Sequence, residues 1–141
     1  MKRLHQQHGL SVVRLLISIL IVCVVIAVGF VMFNSEKAKT RDAKRLSDIT
    51  RIQAGFELLH NATASYAEAA VNGCDQVGAL VSTCNLSTYI PTIAQFKDPG
   101  KYSYKISTVP SDDGYAVTFY LEKQYDTLKA GKHTLSQSGI K

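Results

Sequence analysis

The sequence predicts an α+β protein: a long N-terminal α-helix, apolar in its first half and amphipathic in its second, packed on a small antiparallel β-sheet head. Three observations predict it. Residues 15–33 form a 19-residue run without a charge. Leu46, Ile49, Ile52, Phe56 and Leu59 then recur at spacings of three and four. After Tyr66 the period falls to two, in residues 102–106 and 115–121.

The apolar run reads LLISILIVCVVIAVGFVMF. As a helix rising about 1.5 Å per residue it would be roughly 28 Å long, close to the hydrocarbon thickness of a bilayer. A secretory signal peptide has a shorter apolar region, followed by small residues at a cleavage site. Here the run ends in Val31-Met32-Phe33-Asn34-Ser35-Glu36, which offers no such site. The segment is expected to stay with the protein as a single-pass membrane anchor. Cys23, a lone thiol inside it, reads as a small packing residue.

Past Phe33 the stripe from Leu46 to Leu59 continues at helical period, with Arg45, Asp48, Arg51 and Glu57 between its members on the polar side. No proline precedes Pro91, so one helix is expected from about residue 10 to about His60. Asn61 and the small residues after it supply the stop. Lys44 and Asp48 stand at i, i+4, a spacing at which opposite charges meet.

The head follows from alternation. Residues 102–106 and 115–121 are rich in β-branched and aromatic side chains. Pro110-Ser111-Asp112-Asp113-Gly114 between them reads as a turn. A third, weaker strand is expected near residues 133–135. The linking region, 61–100, is expected to be irregular and pinned by Cys74 and Cys84. A bridge between these two would close a loop of about ten residues and stabilise by roughly 2.5–3 kcal/mol on the chain-entropy model. Two free thiols are the alternative. A metal site is disfavoured, because neither a C-x-x-C pattern nor a clustered histidine accompanies the pair.

Charge is unevenly placed. The net charge of +5 divides into +6 over residues 1–54 (nine basic, three acidic) and −1 over residues 55–141 (seven basic, eight acidic). A near-neutral head disfavours nucleic acid as a partner. The positive excess lies beside the apolar run, where anionic lipid headgroups or neighbouring subunits would meet it. No paired acid and base or activated nucleophile is evident, so the chain does not read as an enzyme. His5 and His8 lie near the N-terminus, and His60 and His133 have no Cys, Asp or Glu neighbour at ligand spacing. Asn61-Ala62-Thr63 and Asn85-Leu86-Ser87 match glycosylation acceptors, triplets common by chance.

Orientation carries a conflict. Three Lys/Arg precede the apolar run and six fall within the twenty residues after Phe33, so a bare positive-inside count puts the C-terminal flank in the cytoplasm. A disulfide in the head instead implies an extracytoplasmic location.

The arrangement resembles the type IV pilin and type II secretion pseudopilin superfamily. The resemblance rests on a short basic leader ending in Gly9, a cleavage position before Leu10 and an uninterrupted apolar helix. It also rests on the continuation Arg41-Asp42-Ala43-Lys44-Arg45-Leu46-Ser47-Asp48-Ile49, and on Asp98-Pro99-Gly100 followed by Tyr102-Ser103-Tyr104. It implies a leader at 1–9, a transmembrane and polymerisation helix at 10–33, its amphipathic continuation at 34–60 and a globular head at 61–141. It implies a prepilin peptidase that cuts after Gly9 and methylates Leu10. Its other implied partners are copies of the chain, other pilin-like subunits, an inner-membrane assembly platform and membrane lipid. The implied location is the bacterial inner membrane with the head outside, then a filament. Removing the charged leader would let the apolar helix, Leu15, Leu16 and Gly29 included, pack among neighbours. The resemblance further implies that Asp112 and Asp113 could hold Ca²⁺, although an ordinary turn explains them as well.

The chain departs from the pattern at three positions. Leu10 stands where the family usually has phenylalanine. Arg14 stands where the family has a glutamate that pairs with a neighbour's N-terminal amine. At about 4 Å and an effective dielectric near 20, a unit-charge pair is worth about 4 kcal/mol in either direction, so the sign at this position bears strongly on docking. Arg14 could mark a minor subunit at a filament tip, find an acidic partner on a different subunit, or belong to a non-polymerising relative. The apolar helix also lacks the proline that many members carry, leaving Gly29 as its weak point at about 1 kcal/mol. The rival reading is a signal-anchored, monomeric extracytoplasmic binding module.

Overall fold

The computed structural model describes residues 7–71 and 73–141, with side chains from Val12 onward. The chain is one long helix followed by a small sheet. Helix α1 spans Gln7–Thr63 without a break. The four strands are β1 (Lys105–Ser111), β2 (Gly114–Leu121), β3 (Gly131–Ser136) and β4 (Gly139–Ile140), and they form an antiparallel meander in the order β1-β2-β3-β4. Contacts divide the chain into two compact units, one ending at Lys37 and the other comprising Ala38–Lys141.

In the second unit the predicted stripe is the core face of α1. Ile49, Ile52, Phe56 and Leu59 are fully buried, with Leu46 packed at the edge. Against them β2 presents Tyr115, Val117, Phe119 and Leu121, the alternate residues of one strand face. Phe56 stacks on Tyr115 with ring centroids 3.8 Å apart. The helix ends at Thr63, within the stretch of small residues after Asn61 expected to stop it. Ala64 adopts φ 56°, and its amide donates to the His60 carbonyl at 2.7 Å. That is the left-handed cap usually given to glycine.

The region between helix and sheet is not featureless. It carries three short 3-10 turns, Ala67–Ala70, Val81–Thr83 and Ile93–Gln95, which deliver Ala69, Val81 and Ile93 to the core. The Cys74–Cys84 disulfide is formed, and both half-cystines are buried.

The sheet corrects the expected strand positions. Residues 102–104 lie outside the ladder: the Asp98 carboxylate accepts the amides of Gly100 (2.7 Å) and Tyr102 (3.3 Å), and the Tyr104 carbonyl accepts the Val81 amide rather than one from β2. β1 begins only at Lys105 and runs through Pro110 to Ser111. Proline is tolerated there because β1 is an edge strand with register shifts against β2. The turn is therefore Asp112-Asp113 alone. The weak third strand is a full one, paired with β2 over six residue pairs from Ala116–Ser136 to Leu121–Gly131.

Candidate functional site

Two features stand out, one in each unit. The first is the apolar helix surface. Every Val, Leu, Ile, Phe and Met from Val12 to Phe33 is exposed, from 52% at Ile19 to 69% at Val31. A helix apolar all round finds its stable environment in lipid or among other helices. This one is long and apolar enough to cross a membrane. Its hydroxyl at Ser18 does not oppose burial, since it donates to the Leu15 carbonyl at 2.7 Å. At the far end Lys37 places its ammonium 4.3 Å from the Phe33 ring centroid, a cation–aromatic pair one turn apart that suits an interface.

Leu15 and Leu16 lie on this surface, both 60% exposed. So does Gly29, in unbroken helix with nothing within 4 Å of where a Cβ would sit. Arg14 is exposed and makes no hydrogen bond or ion pair among the described residues. Cys23 is an exposed free thiol. Gly9 and Leu10 belong to the helical backbone, but their side-chain environment lies outside the described residues, as do residues 1–6 altogether.

The second feature, in the head unit, escaped the sequence reading. Arg45 and Asp48, expected on the polar side of α1, are buried, together with Asp42. Arg45 is a hub. Its Nε and Nη2 donate to the two oxygens of Asp98 at 2.6 and 2.8 Å, and its Nη1 donates to Asp42 and Glu122, each at 2.7 Å. Asp42 in turn accepts the backbone amides of Glu122 and Lys123 at the end of β2. Arg41 Nε donates to Glu122 at 2.8 Å, and the Tyr104 hydroxyl donates to Asp48 at 3.1 Å. Lys44 completes the set with the expected pair to Asp48 at 3.0 Å.

Burial, charge and hydrogen bonding shift three acidic groups of this cluster, Glu122, Asp98 and Tyr104. Hydrogen bonding from Arg41, with further help from Arg45, holds the Glu122 carboxyl at about 2, well below its ordinary 4.5. At Asp98 burial pushes the pKa upward, but the Arg45 guanidinium and the Gly100 and Tyr102 amides outweigh it, and the net direction is down. Burial, reinforced by the Asp48 charge, pushes the Tyr104 phenol up, so it remains a donor. Charge-assisted hydrogen bonds thus bind helix to sheet.

Neither a scan against protein-family models nor searches of characterised proteins and solved structures finds a significant match to this chain.

Several of the remaining candidate residues make local contacts within the head. The Asp112 carboxylate accepts the Ser65 hydroxyl, tying the β1–β2 turn to the end of α1. Among the described residues no group of three or more His, Cys, Asp or Glu gathers that could hold a metal ion. His60 stacks on Tyr66 at 4.7 Å, and His133 places Nε2 2.7 Å from the Lys129 carbonyl.

Proposed function

We propose that this chain is a non-catalytic structural subunit of a filament of the type IV pilus or type II secretion kind. It assembles through the apolar half of α1 after its leader has been removed at Gly9. The observation that carries the reading is the helix surface from Val12 to Phe33, exposed on every side and uncharged from Leu15 onward. In the membrane, lipid covers it. In an assembly, the same surface on other copies does so, with close contacts in place of lipid. A disulfide in the head supports an extracytoplasmic side for that unit.

Arg14 favours a second reading, because a cation in this surface opposes close packing of identical helices. On that reading the chain is a membrane-anchored monomer whose head binds a partner.

A single-cysteine scan from Leu16 to Phe30 in native membranes, with Cys23→Ala as background, separates the two. Assembly predicts oxidative dimers at positions recurring with helical period. Absence of dimers at every position contradicts assembly and favours the monomeric module.

A further inference from the structure

The outer face of the sheet carries a groove of about 490 Å³, opposite in character to the core face. Its cations come from three segments: Lys101 from the turn after Asp98, Lys105 from β1 and Lys132 from β3. Among the described residues no acidic side chain lines it. Tyr102 and Tyr120 form one wall, stacked nearly parallel with centroids 4.8 Å apart and planes 11° from each other.

The sheet register explains why these residues meet. Lys132 stands directly across from Tyr120, and Lys105 across from Thr118, two residues along the same face of β2. The Tyr102 ring is also held from within, its centroid 5.3 Å from the buried Arg45 guanidinium. Ser107, on the same groove, has a buried hydroxyl oxygen with no hydrogen-bond partner among the described residues.

We infer that this groove binds a small ring compound bearing a carboxylate or phosphate: the lysines hold the anion and the tyrosine wall covers the ring. A volume of about 490 Å³ falls within the range of small-molecule sites. Lysine ammonium groups act as point charges on compact anions. Sugar acids, sugar phosphates and mononucleotides share this chemistry. The inference is independent of how the chain is anchored or assembled.

The test is a titration of the full chain in detergent micelles, following the amide resonances of Ser107, Thr118 and Tyr120. Glucuronate, glucose 6-phosphate and AMP are the three probes, with glucose and inorganic phosphate as the ring and the anion alone. At least one ring anion is expected to bind roughly tenfold more tightly than either half alone, the step that one charge-assisted contact supplies. Which of the three binds best separates carboxylate from phosphate and sugar from base. Lys105→Gln and Lys132→Gln, both at exposed positions, are each expected to weaken it by about threefold or more with thermal unfolding unchanged. The proposal is overturned if none of the three moves these resonances, if inorganic phosphate binds as tightly as the ring anions, or if the lysine variants keep full affinity.

Discussion

Arg45 and Asp98 form a two-pronged ion pair, with Nε and Nη2 of the one 2.6 and 2.8 Å from the two carboxylate oxygens of the other, across 53 positions of sequence. Gly100 makes the approach feasible: a Cβ there would lie 2.8 Å from Arg45 Nη2. The pair therefore joins helix α1 to the turn that feeds the sheet.

Arg45→Met should be strongly destabilising. It removes one cation and leaves Asp42 and Asp98 buried without it, a situation that typically costs about 3–5 kcal/mol. Urea unfolding of the full chain in micelles measures it. A loss below about 1 kcal/mol, the range of exposed pairs, would mean the cluster is solvated in solution.

Acid should weaken the same cluster, and the sign follows from Glu122. Its folded pKa of about 2 lies below its ordinary 4.5, so its contribution to stability is present in full above 4.5 and is lost as pH falls toward 2. Asp98, also lowered, adds in the same direction. Thermal unfolding followed from pH 6 to pH 2 should show Tm declining across this window, and Glu122→Gln should flatten the decline. An unchanged slope in the variant would contradict the assignment.

Two glycines in one helix should respond oppositely to alanine. At Gly55 a Cβ would lie 2.6 Å from Ile90 Cγ1, so Gly55→Ala should destabilise the head. Overpacking of about 1–3 kcal/mol there exceeds the helix-propensity gain of about 1 kcal/mol. At Gly29 nothing lies within 4 Å, so Gly29→Ala should only firm the helix. Hydrogen exchange around residue 29 reads this out: the wild-type chain should exchange faster there than Gly29→Ala. Uniform protection in both would show that Gly29 is not a weak point.

Charge reversal at position 14 should promote assembly. Arg14→Glu replaces a cation in the apolar surface by a group able to pair with a neighbour's N-terminal amine, a swing of several kcal/mol on a unit-charge pair worth about 4 kcal/mol. Sheared-filament yield should rise. If it does not change, charge at this position is not limiting.

The parts of the fold legible in the sequence are those set by local pattern. The uncharged run and the stripe of Ile49, Ile52, Phe56 and Leu59 follow from composition and period, and the structure places both as expected. The alternation of β2 is read the same way. The disulfide was anticipated from two cysteines ten residues apart in a polar stretch. What stayed hidden depends on partners distant in sequence. Arg45 looks like a surface cation until Asp98 and Glu122, 53 and 77 positions away, arrive beside it. Gly55 looks like an ordinary weak helix position until Ile90 packs on it. The start of β1 is not legible because Asp98 captures the Tyr102 amide, which alternation alone assigns to a strand. The one available hint was the clustering of Asp42, Arg45 and Asp48 on adjoining turns of a helix that also carries the core stripe.

The mass of the N-terminus of the native polypeptide, taken from its own membranes, tests the proposed assembly most directly. The account predicts a chain that begins at Leu10 with a methylated amine. A chain that still begins at Met1 would contradict it.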